Sequence, residues 1–219
     1  VLALGVLHAG IPRDLEGNPT GDIVDDGLDF YGLREYEPGD DVRNVHWLSS
    51  AKTGTLMIRQ FEATRRTDTS LSLGVNPDDY VDAGEFELAV SAHASIGVQA
   101  LREDRPLYAH VGATHTNPAN PMVFLDECSA VEPRLGDERN LAQGALAFTP
   151  DASLYCFTVG SLKPLDDIRR MASTLPQSAR VVVVQTAPGA TRGLRDFGDF
   201  TLATIGELND LPLVMGAMR

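Results

Sequence analysis

Short strand-like segments alternate with helical segments from residue 67 onwards, and this alternation constrains the fold more than any other feature. Residues 181–185 are almost wholly β-branched, which is typical of a strand buried on both faces of a sheet. Residues 85–102 carry apolar side chains at helical spacing, with Asp82 or Gly84 near the start. Strands joined through helices form right-handed crossovers, so the pattern predicts an α/β domain with a mainly parallel sheet flanked by helices.

The first 66 residues do not follow this alternation. Residues 11–22 are rich in turn-forming residues and indicate an extended arm or loop. We therefore predict an irregular, partly β N-terminal extension over residues 1–66, which packs on an α/β domain over residues 67–219. The predicted strands are residues 55–62, 70–75, 107–111, 153–159, 181–185 and 200–205, the predicted helices are 85–102, 140–148 and 165–175, and residues 206–209 are a predicted turn.

The charge of the chain limits its partners. There are 31 acidic and 18 basic residues, for a formal net charge of −13. This surface repels a phosphate backbone or an anionic lipid, so the composition disfavours nucleic-acid binding and favours either a partner with a basic face or simple solubility. The two cysteines, Cys128 and Cys156, lack the spacing of a zinc site or a disulfide scaffold, which fits the reducing cytoplasm.

The segment 30–56, called here the signature segment, concentrates charged and aromatic residues around one turn. Pro38 and Gly39 form the turn, and five neighbouring residues can form charge-assisted pairs: Arg34, Glu35, Asp40, Asp41 and Arg43. Trp47, the only tryptophan, follows directly. Its large amphipathic ring can either cap a core or anchor a partner.

The signature segment resembles a bacterial family known as domain of unknown function 58. The resemblance lies in an aromatic residue followed by Leu-Arg-Glu-Tyr, Pro-Gly-Asp-Asp, Arg, His-Trp, a pair of small residues and Ala, and residues 59–62 continue it. The arm at residues 11–20 is similar to an actinobacterial branch of the family. The residues that match the signature, and to which we assign an interaction role, are Arg34, Glu35, Tyr36, Pro38, Gly39, Asp40, Asp41, Arg43, His46 and Trp47.

The resemblance implies a von Willebrand factor A-like fold for the main domain. It also implies a parent protein anchored in the membrane through N-terminal helices, with this chain on the cytoplasmic face. Members of the family are associated with an AAA+ ATPase of the MoxR type, and are thought to assist it in maturing or assembling other proteins. The implied partner is therefore a protein of that type.

Von Willebrand factor A domains often bind magnesium through an Asp-x-Ser-x-Ser loop after the first strand and a later aspartate. At the corresponding positions this chain has Gly-Val-Asn-Pro-Asp at residues 74–78 and Thr-Val-Gly at residues 158–160. Both leading aspartates are missing, so Asn76 and Asp78 offer at most a degenerate site for a hard cation. Asn-Pro-Asp-Asp is also a common turn sequence. We therefore predict neither a metal nor another cofactor.

Two functions are compatible with these residues. The first is a non-catalytic protein-interaction module. The second is a metal-dependent hydrolase that uses either Asp40, Asp41 and His46 or the pair Asp78 and Asp79. The first is favoured because the acids can pair with neighbouring arginines, and because the sequence has neither a nucleophile elbow nor a phosphate-binding glycine loop.

The remaining candidates for chemistry are weaker. His110 and His115 could share a face but are poorly spaced as metal ligands, and His93 lies among apolar helical positions. Residues 65–66 are a pair of arginines, too short a basic run to indicate a nucleic-acid contact. Residues 17–21 form a loop without a phosphate-binding pattern, and His8 is uninformative.

Overall fold

The computed structural model describes residues 28–63, 68–135 and 141–218. It divides the chain into two compact units, one containing residues 15–66 and the other containing the chain from residue 67 to its end. The arm at residues 11–22, His8 and the arginine pair at 65–66 lie outside the described residues. The packing of the extension on the main domain stays a prediction.

The first unit is a β-hairpin whose long connection is folded. Strands β1 (Leu28–Glu35) and β2 (Met57–Ala63) pair in antiparallel register, with an irregularity between residues 30 and 32. A 3₁₀ turn (Val42–Asn44) and helix α1 (Trp47–Thr53) occupy the connection. Val45 and Ile58 are buried and bridge the connection to β2, which closes a small core.

The second unit is a seven-stranded sheet with helices. Its strands are β3 (Thr69–Leu73), β4 (Leu107–Val111), β5 (Thr114–Thr116), β6 (Leu154–Gly160), β7 (Arg180–Thr186), β8 (Gly193–Asp196) and β9 (Thr201–Ile205). Its helices are α2 (Ala83–Arg102), α3 (Pro121–Ser129), α4 (Leu141–Phe148), α5 (Leu165–Ser173) and α6 (Asp210–Ala217).

The strand order is β5-β4-β3-β6-β7-β9-β8. The five inner strands are parallel, and the edge strands β5 and β8 are antiparallel to their neighbours. The chain first moves outward from β3 through β4 to β5, and then returns to the other side of β3 to form β6. The topological switch point therefore lies between β3 and β6, and the predicted von Willebrand factor A-like α/β fold is confirmed.

Helices cover both faces of the sheet. Alternate residues of β7 belong to two separate cores: Val182 and Val184 join the core that contains α2, α3 and α6, whereas Val181 and Val183 join the core that contains α4 and α5. This division follows from the two-residue period of a strand. It explains why β3 and β6 are buried along their whole length.

The structure adds elements that the sequence did not predict, namely α1, α3, α6, β1, β5 and β8. Helix α6 follows the predicted turn at residues 206–209. It contains Pro212 and Gly216, two residue types with low helix propensity, so the sequence did not indicate a helix there. Pro212 is the third helical residue, where the backbone N–H has no intrahelical acceptor, so the ring costs little. Strand β8 is mostly exposed and polar, and it therefore lacks an apolar pattern.

Candidate functional site

The connection between β1 and β2 is pinned at both ends to the hairpin. The backbone N–H of Tyr36 donates to the Leu56 carbonyl at 2.8 Å, and that of His46 donates to the Met57 carbonyl at 2.8 Å. The turn at Pro38 and Gly39 is exposed, and Gly39 has a φ of 115°, a value that favours glycine. Each half of the connection is thus fixed close to the strand pair.

Two ion pairs shape the turn that follows β1. Both guanidinium nitrogens of Arg34 donate to Asp40, at 2.7 and 2.5 Å, and Asp40 also accepts the Glu37 N–H at 2.8 Å. Next to it, Arg43 donates through Nε and Nη2 to the carboxylate of Asp41. The two carboxylates therefore pair with the two arginines, as the sequence indicated.

These contacts determine the protonation state of the two acids. The hydrogen bonds from Arg34 lower the pKa of Asp40, and those from Arg43 lower the pKa of Asp41. Both side chains are therefore carboxylates at neutral pH, and neither is a proton donor. Their observed role is to hold the loop.

His46 caps helix α1. Its ring Nδ1 accepts the backbone N–H of Ser49 at 3.2 Å and lies 2.8 Å from the Ser49 hydroxyl. The buried Ser50 hydroxyl donates to the His46 carbonyl and accepts the Met57 N–H at 2.8 Å. The imidazole therefore satisfies an N–H group that has no intrahelical partner at the start of the helix. Among the described residues, it forms no hydrogen bond with Asp40 or Asp41.

The fixed connection presents apolar side chains to solvent. Trp47 is 68% exposed and Leu48 is 66% exposed, at the first two positions of α1, and Val42 is 61% exposed in the preceding 3₁₀ turn. At this exposure, the three side chains are mostly outside the core of their own unit and contribute little hydrophobic stabilisation to it. Exposed tryptophans are enriched at protein–protein interfaces, so this helix is a candidate docking surface.

A second candidate site lies where β3 and β6 end, beside the topological switch point. Asp79 follows β3, and Lys163 follows β6. Lys163 Nζ lies 2.8 Å from Asp79 Oδ2, and both side chains are only 9% exposed. The Leu162 N–H also donates to the Asp79 carbonyl at 3.0 Å. A largely desolvated ion pair therefore joins the two loops.

Glu85 reinforces the same junction from helix α2. It is fully buried, and its carboxylate accepts the Ser161 N–H at 2.5 Å, the Ser161 hydroxyl at 3.2 Å and the Val81 N–H at 2.7 Å. Its own N–H donates to the Asp82 carboxylate at 2.8 Å, which begins the helix. We call Asp79, Glu85, Ser161 and Lys163 the edge cluster.

The close approach of the two loops requires glycine at residue 160. A Cβ atom on Gly160 would lie 2.1 Å from the Asp79 carbonyl oxygen. Real Cβ atoms essentially never come so close to a backbone atom, so a side chain at this position would separate the loops. The missing aspartate of the metal-binding pattern is thus replaced here by tight backbone packing.

The residues at this edge do not fit a magnesium site. The Asn76 side-chain oxygen accepts the Asp78 N–H at 3.2 Å and so starts a 3₁₀ turn, Asp78 is exposed, and Asp79 is neutralised by Lys163. Within residues 28–63, 68–135 and 141–218, no three His, Cys, Asp or Glu side chains are grouped so that they could hold a metal ion. The roles of Lys163 and Glu85 were not predicted from the sequence. The spacing Asp82-x-x-Glu85, which resembles a capping box, was the one signal that could have indicated Glu85.

The other histidines and both cysteines are structural in the described chain. His110 and His115 face each other across β4 and β5, and both pack against Phe148. Burial raises the pKa of the Cys128 and Cys156 thiols to about 12, so both remain protonated. Cys156 is a small buried residue of the core.

Residues 32–118 match the model of a family described as protein of unknown function DUF58. The chain carries a DUF58 region. No curated protein and no solved structure matches the chain. The DUF58 region begins within β1 and ends beyond β5, so it contains most of the signature segment, β3 and α2. Asp79 and Glu85 therefore lie inside the DUF58 region, and their partners Ser161 and Lys163 lie outside it.

No helix among the described residues, inside the DUF58 region or beyond it, is long and apolar enough to cross a membrane.

Proposed function

We propose that this chain is a non-catalytic protein-interaction module that works with a MoxR-type AAA+ ATPase in protein maturation or complex assembly. In this proposal the chain is the cytoplasmic part of a membrane-anchored parent protein. The observation that carries the proposal is the exposed Trp47 on a short helix that is held in place from both sides. The match of residues 32–118 to the DUF58 family model is consistent with this reading.

The geometry of the signature segment suits docking. Ordering a flexible loop on binding costs free energy, and a loop that is already fixed avoids much of that cost. Arg34 and Asp40 fix one side of the connection, and the His46 and Ser50 hydrogen bonds fix the other. Trp47 projects from this frame, and tryptophan is among the residues that most often dominate binding energy.

The proposal is tested by calorimetric titration of the chain with a MoxR-type AAA+ ATPase, which measures the Kd in the presence and absence of nucleotide. Replacing Trp47 with alanine is expected to weaken binding about thirtyfold, since loss of a central aromatic anchor costs about 2 kcal/mol or more. Because the side chain is exposed, the variant should remain folded. Leu213→Ala is the matched control, because Leu213 is a 54% exposed apolar residue of α6. Normal binding by Trp47→Ala would disprove the docking role.

The alternative function is metal-dependent hydrolysis. The contacts of its candidate residues, as far as the structure describes them, do not favour it. Asp40 and Asp41 are paired with arginines, His46 caps a helix, and Asp79 is paired with Lys163. The two groups proposed for that chemistry are therefore engaged in other contacts.

Thermal denaturation with excess Mg²⁺, Mn²⁺, Ca²⁺ or Zn²⁺ tests this alternative directly. We expect no change in Tm with any of the four ions. An ion present at a hundred times its Kd would add about 2.7 kcal/mol to the free energy of unfolding and raise Tm by roughly 5–10 °C. A rise of that size, abolished by Asp78→Asn or Asp40→Asn, would revive the hydrolase hypothesis.

A further inference from the structure

A cavity of about 240 Å³ lies in the sheet unit between α3 and the β4–β5 edge. Val75, Val111, Phe124 and Val131 supply much of its apolar wall, and Glu127 and Glu132 supply carboxylates. Val75 follows β3 and Val111 ends β4, so the cavity lies toward the carboxyl ends of the parallel strands. Ligands of open α/β sheets usually bind at those ends.

The size of the cavity restricts what can occupy it. Pockets for drug-sized ligands or cofactors usually measure about 300–1,000 Å³. A cavity of 240 Å³ is below that range. Its apolar walls and small volume suit one large apolar side chain better than a complete metabolite.

The walls are held in place by polar contacts. The Thr116 hydroxyl donates to Glu127 Oε2 at 2.8 Å, which connects β5 to α3. The Arg134 N–H donates to the Val75 carbonyl at 2.8 Å, which fixes the segment after α3 against the end of β3. The cavity is therefore formed by the fold itself, and filling it requires little reordering.

The charge around the cavity selects the kind of partner. No lysine or arginine occurs from residue 111 to residue 133, while this stretch contains Asp126, Glu127 and Glu132. Among the described residues that line the cavity, Arg134 is the only basic one. Together with the net charge of −13, this arrangement attracts a basic segment and repels an acidic one.

We propose that this cavity binds a large apolar side chain presented by a basic segment of a partner protein. The inference rests on the proposed function, since it assumes an interaction module, and it adds a second contact site that is distinct from Trp47. The occupant inserts its apolar side chain between α3 and β4, and its flanking lysines or arginines face Glu127 and Glu132.

The probes are three capped pentapeptides, with phenylalanine flanked by lysines, alanine flanked by lysines, and phenylalanine flanked by glutamates. They are titrated into the isotope-labelled chain, and amide shifts are followed by NMR. We expect the phenylalanine–lysine peptide to shift the signals of Val111 and Val131 and to bind roughly tenfold or more tightly than the alanine peptide. The glutamate peptide should not bind.

Variants locate the site. Ala130 is exposed and lines the cavity, so Ala130→Phe should fill the opening and abolish the shifts without disturbing the fold. Glu132→Lys should weaken binding of the basic peptide roughly fivefold. Glu87→Lys is the matched control, because Glu87 is exposed on α2 and away from the cavity lining, and it should leave binding nearly unchanged.

The outcomes separate this inference from the proposed function. Failure of all three peptides to bind, or equal binding by Ala130→Phe and the unaltered chain, would overturn the cavity site and leave the Trp47 experiment unaffected. Loss of ATPase binding in Trp47→Ala together with normal peptide shifts would support both surfaces as separate sites. Equal loss of peptide binding in Glu87→Lys and Glu132→Lys would reduce the effect to net charge and overturn the proposal.

Discussion

Replacing Lys163 with methionine is expected to lower the free energy of unfolding by about 3–5 kcal/mol, because it leaves the Asp79 carboxylate buried without its counter-ion. Both side chains are 9% exposed, so water cannot readily solvate the remaining charge. In a chain of this size the loss corresponds to a fall in Tm of roughly 6–20 °C. Urea unfolding followed by circular dichroism measures this loss. Tryptophan fluorescence is less suitable, because the only tryptophan, Trp47, lies in the other unit.

Two further variants show whether the charge is the cause. The double variant Asp79→Asn with Lys163→Met removes both charges and should recover most of the lost stability. Arg169→Met breaks an exposed pair with Asp166 in α5 and a cation–π contact with Phe197, and should cost no more than about 1–2 kcal/mol. If Lys163→Met cost as little as Arg169→Met, the edge cluster would not hold the two loops together.

The second large effect is a loss of stability in acid that depends on His93. This side chain is fully buried beside Phe124, and neither ring nitrogen has a hydrogen-bond partner among the described residues. Burial lowers the pKa of His93 to about 3, with a smaller contribution from His110. In the unfolded chain the pKa is about 6.5, so between pH 6.5 and 3 the unfolded state binds more protons. The contribution of neutral His93 to the free energy of unfolding is therefore fully present above pH 6.5 and is lost as the pH falls toward 3.

Through His93, lowering the pH from 7.5 to 5.0 is expected to reduce the free energy of unfolding by about 2 kcal/mol, and lowering it to 3 by about 4 kcal/mol. His93→Leu should remove this part of the pH dependence, as measured by urea unfolding at the two higher pH values. The control is His115→Gln, since His115 is exposed on the edge strand β5; it acts on the pKa of His110 but should leave the contribution of His93 in place. An unchanged difference in His93→Leu would show that other groups control the acid sensitivity.

The sequence predicted the elements with a clear period. Strand β4 begins and ends where it was predicted, at residues 107–111, and α2 ends at Arg102 as predicted, with Asp82 as its cap. These elements have strong local signals: apolar spacing in the helix and compact apolar runs in the strands. Local signals also sufficed for the ion pairs of the signature segment, because each partner lies within six residues of the other.

The edge cluster could not be predicted in the same way. Asp79 and Lys163 are 84 positions apart, and they meet only because β3 and β6 are neighbours in the sheet. Strand order is a property of the whole topology and has no local sequence signal. The sequence showed that carboxylates were missing from a metal-binding pattern, but not that a lysine from the next loop neutralises the carboxylate that remains.

The central position of β3 has a consequence for how the polypeptide can be divided. Its two hydrogen-bonded neighbours are β4, which lies within the DUF58 region, and β6, which begins at Leu154, far beyond residue 118. A polypeptide cut at residue 118 would therefore expose one side of a strand whose five residues are all buried in the complete unit. Such an edge readily pairs with other chains. The boundary of family similarity is thus not a boundary of independent folding, and solubility requires the segment through β6.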